Sequence, residues 1–418
     1  MPTLQTLQTA LAQRLNDDGT FYPTAELTFA LNEGLKFWNL LTGDNRVFYA
    51  LQLDPDEVWY DLQTIPDSPR LTSVTISDLI LSVQILLMEN IHVTSQFNAG
   101  EMFTAVQTKR DEFLLRTQYT RTVREIAVAP QVAIVPLPST VIDTPRAYWL
   151  PDAEDGIPSQ LDKSDEFTTL AYDTYAPLTP GDPISYIAGM GSPYTVQLVP
   201  PPENAGTVEF ITVETNNDFT LNIPNDLSSA ILWGAVSYLL SMSMEAEDKQ
   251  RAEYAGKRFD QYVEMASQIP TVLSVRIAGV PMFTDAVETL DSFAGDWRTS
   301  ATVPSVVGTA GGNLLAIPSD TAQTITVQMV GNATLLSAPT DVLALGAEVV
   351  DAILDYAQHL LSFKMGGADF TNTLSLMRPI VTLAAKRNQI VAGLSVYSET
   401  IKGLTNRADD FELPKGDS

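Results

Sequence analysis

Leu314-Leu315-Ala316-Ile317-Pro318, followed by Ala322-Gln323-Thr324-Ile325-Thr326-Val327, restates an earlier stretch of the same chain. That stretch is Gln197-Leu198-Val199-Pro200, followed by Ala205-Gly206-Thr207-Val208-Glu209-Phe210. The likeness continues outward. Pro339-Thr340-Asp341 matches Pro224-Asn225-Asp226, and Ala352-Ile353-Leu354 with Leu360-Leu361-Ser362 echoes Ala230-Ile231-Leu232 with Leu239-Leu240-Ser241. Each copy reads as strand, Pro turn, strand, Asn-containing loop, Pro, long helix, break and second helix, which is the signature of an internal duplication. Val275-Arg276-Ile277 likewise restates Val123-Arg124-Glu125-Ile126. In the first third, Ala25-Glu26-Leu27 with Ala30-Leu31 aligns with Gly100-Glu101-Met102 with Ala105-Val106.

Around this repeat the periodicity predicts the elements. Leu4, Leu7, Leu11 and Leu15 recur at helical spacing until Asn16-Asp17-Asp18-Gly19 stops the helix. Thr24 is the expected N-cap of a second helix that carries Leu27, Ala30, Leu31, Phe37, Trp38 and Leu41 and ends at Gly43. Residues 47–53 and 57–62 flank Asp54-Pro55-Asp56 and predict a β-hairpin. Helices are expected over 77–90 and 98–120, the latter opened by the capping-box spacing Asn98…Glu101. Short strands and loops fill 123–222, and helical hairpins fill 226–267 and 342–391.

The expected fold class is α+β: helical bundles formed by N-terminal and C-terminal helices, with small antiparallel β domains inserted. The expected divisions are 1–122, 123–225, 226–270, 271–338, 339–394 and a C-terminal arm at 395–418. In this reading the first two helices pair with 226–267, and the pair 77–120 packs on 342–391, so that two related four-helix bundles seal stripes no single helix could bury.

Composition narrows the function. Among 418 residues, 51 Asp and Glu stand against 24 Lys and Arg, a net charge of -27. A protein whose main work is gripping phosphates needs clustered Lys and Arg, so that class is disfavoured, although an acidic wall can let DNA slide past. With no cysteine, disulfides, thiolate metal sites and Cys nucleophiles are excluded. Met1-Pro2-Thr3-Leu4-Gln5 carries no basic stretch before an apolar one, so no signal peptide is expected. The most apolar run, 79–88, is too short to span a bilayer, and no membrane partner is expected.

Candidate chemistry is sparse. His92 and His359 lack a second ligand at metal spacing, and His359 sits beside Leu360 and Leu361 on a predicted helix, as a packed residue would. Asp152-Ala153-Glu154-Asp155-Gly156 resembles a calcium loop but has Lys163 where an EF-hand needs an acid; Asp162, Asp165 and Glu166 nearby leave a solvated acidic loop as the default. Gly308-Thr309-Ala310-Gly311-Gly312 lacks the following Lys-Ser/Thr of a phosphate cradle and reads as a flexible joint between strands. No Gly-x-Ser-x-Gly elbow occurs. Charges along 247–260 interleave as on a solvated helix face. We therefore assign no catalytic, cofactor-binding or metal residue and expect no cofactor. In the tail, Tyr397, Ile401, Leu404, Phe411 and Leu413 stand among polar residues, as in an arm that orders on a neighbour, with Phe411 and Leu413 alternating as in a strand.

Leu15-Asn16-Asp17-Asp18-Gly19-Thr20-Phe21-Tyr22-Pro23-Thr24-Ala25-Glu26-Leu27, with Ala30-Leu31-Asn32-Glu33-Gly34, resembles the opening of tailed-bacteriophage head–tail connector (adaptor) proteins. The central unit is similar too: Pro136-Leu137-Pro138-Ser139, a strand ending in Trp149, Pro180-Gly181-Asp182-Pro183 before Tyr186, Leu198-Val199-Pro200-Pro201-Pro202, and Ile223-Pro224 before a long helix. The second helix of that hairpin, 249–265, looks like the Arg- and Tyr-rich closing helix of the family. The resemblance covers 5–62 and 97–267, and the chain departs from the family by being about twice the usual length. It implies a non-enzymatic virion subunit that forms a ring, commonly twelvefold, below the portal protein, in the neck between head and tail. Such a ring joins the capsid to the tail or next neck protein and lines a channel through which genomic DNA passes without sequence-specific binding. Before assembly the subunit would reside in the host cytoplasm. The alternative is another phage tail, gatekeeper or baseplate structural protein.

Overall fold

A computed structural model describes residues 1–17, 20–55, 57–71, 73–87, 96–152, 158–172, 175, 178–189, 194–215, 220–221, 223–243, 246–268, 271–293, 297–298 and 304–390. Helix α1 (Leu4–Arg14) starts where the Thr3 hydroxyl accepts the Thr6 amide at 3.3 Å, and it buries Leu4, Leu7 and Leu11. In α2 (Thr24–Thr42) the cap position belongs to Pro23, not to the expected Thr24. The Pro23 carbonyl takes the amides of Glu26 and Leu27, so Thr24 lies inside the first turn. Gly43 ends this helix at a positive φ of 54°, a conformation that favours glycine. Strands β1 (Arg46–Leu53) and β2 (Trp59–Asp61) follow. Then come α3 (Ile76–Leu87) and α4 (Ala99–Thr117); α4 has the expected capping box, with Asn98 and Glu101 bonded reciprocally.

The central strands are β3 (Thr122–Val128), β4 (Ile134–Pro136), β5 (Val141–Pro151) and β6 (Ser159–Ser164); after the short α5 (Glu166–Tyr172) come β7 (Ser185–Ala188), β8 (Thr195–Val199) and β9 (Gly206–Glu214). A helical hairpin, α6 (Ser228–Ser241) and α7 (Ala246–Gln268), comes next. The remaining strands are β10 (Val272–Ile277), β11 (Val280–Pro281) and β12 (Phe283–Ala286), then α8 (Val287–Phe293), β13 (Val306–Ala310), β14 (Leu314–Ala316) and β15 (Gln323–Val330). The described chain closes with α9 (Ala347–Met365), α10 (Gly367–Thr371) and α11 (Arg378–Ile390).

The protein is thus α+β. One sheet has the order β3-β9-β5-β6-β7-β8-β4, and every neighbouring pair is antiparallel except the parallel β6–β7. It is therefore mixed and not the small antiparallel sheet expected. The other strands form two four-stranded sheets, β1-β15-β10-β11 and β12-β13-β14-β2. Here too every pair is antiparallel except one, β12–β13. Each set of strands encloses its own apolar core. Val196, Leu198, Val208, Phe210, Tyr186 and Trp149 fill one, while Leu51, Leu53, Tyr60, Leu315, Ile325 and Val327 fill the other.

The hairpin expected over 47–62 does not form. β1 pairs with β15, from Arg46↔Val330 to Leu53↔Gln323, and β2 pairs with β14. Asp54-Pro55 does turn the chain, but it carries it across one end of the enclosed core. Leu51 and Leu53 then enter that core from one side and Tyr60 and Leu62 from the other.

The helices share one core. Within it α2 lies along α9, with α1 and α11 beside them, whereas α4 lies along α6, with α3 and α7. This is the reverse of the expected pairing. The strands impose it. α2 runs into β1, β15 runs out toward α9, and β1 and β15 are hydrogen-bonded neighbours; α4, β3, β9 and α6 repeat the arrangement. Gly308–Gly312 is not a loose joint. Gly311, at φ 62°, turns β13 into β14, and a Cβ on Gly312 would lie 2.1 Å from the Tyr119 ring.

Candidate functional site

The most elaborate side-chain arrangement lies where α8 meets the central sheet. α8 occupies the crossover between the parallel strands β12 and β13. Its Val287 and Leu290 are fully buried with Trp297, Ala310, Leu314 and Ala316 against Tyr148 of β5 and Ile211 of β9. Val123, Leu150 and Trp59 pack at the edge of this cluster.

Charge pairs surround the apolar centre, and in the α8 pairs the carboxylate comes from the helix side. Asp291 is ion-paired with Arg146, accepts the Tyr148 hydroxyl at 2.8 Å and accepts the Trp297 indole N–H at 2.7 Å. Glu288 pairs with Arg121 at 2.8 Å; burial raises its pKa, but Arg121, a backbone hydrogen bond and Arg146 together hold the carboxyl below its ordinary range. Arg298 reaches Glu209 of β9 at 2.8 Å and stacks 4.1 Å from the Tyr148 ring centre. Burial raises the Glu209 pKa, with Arg298 opposing. Burial, reinforced by Asp291, likewise raises that of Tyr148. These groups are held in pairs, which is the chemistry of a fixed joint.

Beside the joint, a cavity of about 290 Å³ is lined by Tyr119, Arg121, Thr271, Glu288, Gly312 and Asn313 among others. Its charged groups are already paired with one another, and it contains no histidine.

His359 is buried in the helical core. Its Nε2 is 2.7 Å from the Tyr254 hydroxyl and its Nδ1 is 3.0 Å from that of Thr373, with Phe370 stacked on the ring. Burial, helped by the charge of Arg258, pushes its pKa down to about 3, so it is a neutral packing residue at pH 7. His92 and residues 153–157 of the acidic loop lie outside the described residues. Asp165 is engaged as a cap, accepting the amide and hydroxyl of Thr168. Among the described residues, no group of three or more His, Asp and Glu is arranged to hold a metal ion. Likewise, no described helix is long and apolar enough to cross a membrane.

The partner-binding residues expected in the arm, Tyr397, Ile401, Leu404, Phe411 and Leu413, lie outside the described residues. α11, which leads toward them, is anchored at its end by an Arg387–Asp44 ion pair and by the Asn388 amide donating to the Leu41 carbonyl at 3.0 Å. Sequence reasoning missed both crossover helices, α5 and α8. The available signal was Phe167, Leu170 and Leu178, large apolar residues in what otherwise reads as a Pro- and Asp-rich loop.

The fold and its surfaces define a mixed α+β protein built around packed joints and exposed faces. Residues 74–276, just under half of the chain, match the family model of the SU10 adaptor protein, a phage adaptor family. The match runs from just before α3 into β10, so the adaptor resemblance holds over the central sheet and the helices that flank it. That match supports a structural phage protein and a virion component. No curated protein matches the sequence.

Proposed function

We propose that this chain is a head–tail connector subunit. Copies form a ring below the portal, join the capsid to the tail, and line the channel through which DNA leaves. The observation that carries the proposal is the adaptor match over 74–276 together with the second set of strands outside it. Read strand by strand, β3-β9-β5-β6-β7-β8-β4 and β1-β15-β10-β11/β12-β13-β14-β2 follow one plan, each with its single parallel pair at the same place. α4 and α6 flank the first as α2 and α9 flank the second. We read the chain as two like units, with residues 74–271 inserted into the unit made by the two ends.

This reading corrects two details of the sequence repeat. Leu315 and Ile317 turn inward as Val196 and Leu198 do, so Ala316 is the counterpart of Gln197, one residue out of step with the Pro200 and Pro318 match. β10 takes the place of β5, and β1 takes that of β3, so Val275-Arg276-Ile277 is not the counterpart of Val123-Arg124-Glu125-Ile126. The helices then form two related bundles with a common core. If ring symmetry counts units, a ring closes with half as many chains as a single-unit adaptor would need. The net charge of -27 suits a channel wall that repels the DNA it conducts.

Electron microscopy of the purified protein and of intact particles tests the proposal. Closed rings with a central hole, located between head and tail, are expected. Stacked tubes, or density elsewhere in the tail or baseplate, would replace this reading with the tail, gatekeeper or baseplate alternative. The arm is tested separately. Deleting 395–418 is expected to leave the monomer folded while weakening ring or portal binding; equal assembly would remove the arm from the proposal.

A further inference from the structure

The joint at α8 is a contact between unlike faces of two like units, so each unit also carries the face that the other uses. Seen from the unit formed by the chain ends, the crossover helix α8 and Trp59 of β2 press on the outer face of β3, β9 and β5. The inserted unit has its own crossover, β6-α5-β7, and its own edge strand β4.

Phe167 (84% exposed), Leu178 (74%), Tyr175 (71%) and Ile184 (69%) all belong to that crossover. Apart from Met1, they are the most exposed large hydrophobic side chains among the described residues. Ile134 of β4, 61% exposed, occupies the position that Trp59 holds in β2: Ile134 pairs with Gln197 of β8, as Trp59 pairs with Ala316 of β14.

The complementary face is open on the other unit. With Ile325 and Val327 of β15 turned inward as Val208 and Phe210 of β9 are, Gln328 stands where Ile211 does. Its neighbour on β1 is Phe48, and the neighbour of Ile211 on β3 is Val123, which packs against the α8 joint. Phe48 is 66% exposed. Around it on β1, β15 and β10 the same side of the sheet presents Ala50, Gln52, Thr324, Thr326 and Arg276, with no carboxylate. The crossover is acidic at Asp162, Asp165, Glu166 and Asp182, just as α8 brings Glu288 and Asp291 to the arginines of its joint.

We infer that the α5 crossover of one copy docks on the β1-β15-β10 face of the next copy, repeating between chains the joint that α8 makes within one. The occupant is therefore a second copy of this chain. The contact joins two different faces, so it propagates from copy to copy and closes into a ring where the rotation allows. It deepens the connector reading by supplying the contact on which a ring would rest. It also accounts together for the exposed apolar residues of both units and for an uncharged-to-basic face on a strongly acidic chain.

The absence of cysteine makes the test clean. Phe48→Cys/Phe167→Cys in the full chain, treated with a short bismaleimide, is expected to give a ladder of multiples. Each single variant alone is expected to stay monomeric, and a mixture of the two singles is expected to stop at dimers. Crosslinking of either single variant with itself would indicate a symmetric contact and overturn the inference. So would higher oligomers by sedimentation without any 48–167 crosslink. Phe167→Asp, at an exposed position, should leave the fold intact and weaken self-association about tenfold or more; unchanged sedimentation would count against the inference. The same double variant carried by the phage separates the two readings. Chain present at the neck without the crosslink removes this interface and leaves the connector proposal standing. Chain absent from particles removes the connector proposal, while a ladder from the free protein would still support the interface.

Discussion

His359 offers a way to measure the helical core from inside. In the fold its ring is buried, held by Tyr254 and Thr373, and kept neutral down to about pH 3; its ordinary pKa is 6.5. A depressed histidine stabilises the fold fully above the unfolded value. That contribution is lost as pH falls through 6.5 toward 3, because the unfolded chain takes up a proton the folded chain refuses. Each pH unit in that window costs about 1.4 kcal/mol, so at about pH 4.5 the native protein should have lost about 2–3 kcal/mol on this account alone. Carboxylates titrate in the same range, and His359→Gln separates them, since its amide can still bond both hydroxyls and carries no charge. Urea unfolding of both proteins at about pH 7.5 and pH 4.5 is the assay. The wild-type chain should lose about 2–3 kcal/mol more than the variant between the two conditions. Equal losses, or an NMR titration of this ring near 6.5, would refute the reasoning.

Three further outcomes follow from the joint and its surroundings. Leu290→Ala, at a fully buried position, should cost about 2–5 kcal/mol in urea unfolding, whereas the same change at exposed Leu178 should cost almost nothing in the isolated chain. Arg298→Met leaves Glu209 buried without its partner and should cost about 3–5 kcal/mol at neutral pH. Because burial already raises the Glu209 pKa, that variant should recover stability relative to wild type on acidification, when the carboxyl is protonated. Gly312→Ala drives a methyl into the Tyr119 ring and should cost about 1–3 kcal/mol in the same assay.

The helices were the legible part of the sequence. Their apolar spacing and caps are local, and Leu4, Leu7 and Leu11, or Asn98 with Glu101, need no partner to be read. The proposed repeat also has a local mark, since Ile325 and Val327 of β15 face a core as Val208 and Phe210 of β9 do. What the sequence hid was pairing. Asp54-Pro55-Asp56 between two β-rich runs has every local mark of a hairpin, yet β1 and β2 belong to opposite ends of one enclosed core, and only the distant β15 and β14 reveal it. The crossover helices were hidden for a related reason. α5 buries little within the chain, so Phe167 and Leu178 have no local periodicity to mark them. The faces on which the further inference rests become visible only when the seven-stranded sheet is laid strand on strand against the two four-stranded ones.

The reversal of the helix pairs carries the last step. Once β1 and β15 are hydrogen-bonded neighbours, the helices entering one and leaving the other start side by side, so that in the proposed two-unit reading the ends of the chain form one unit and everything between them is free to form the other. Insertion of a whole unit requires that the chain leave and return at nearly the same place, as the ends of a domain commonly do. Here they meet at a single tyrosine. Arg70, just before the inserted stretch, bonds the Tyr119 hydroxyl through its guanidinium and the Val330 carbonyl at 2.9 Å. Thr271, at its end, lies 2.9 Å from the same hydroxyl, and its carbonyl accepts the Val330 amide at 3.0 Å. Point of entry, point of exit and the β15 strand of the outer unit are thus tied to Tyr119, in the short connection between α4 and β3. On the nested reading this is the spot where one adaptor-like unit was accommodated inside another without disturbing a strand of either.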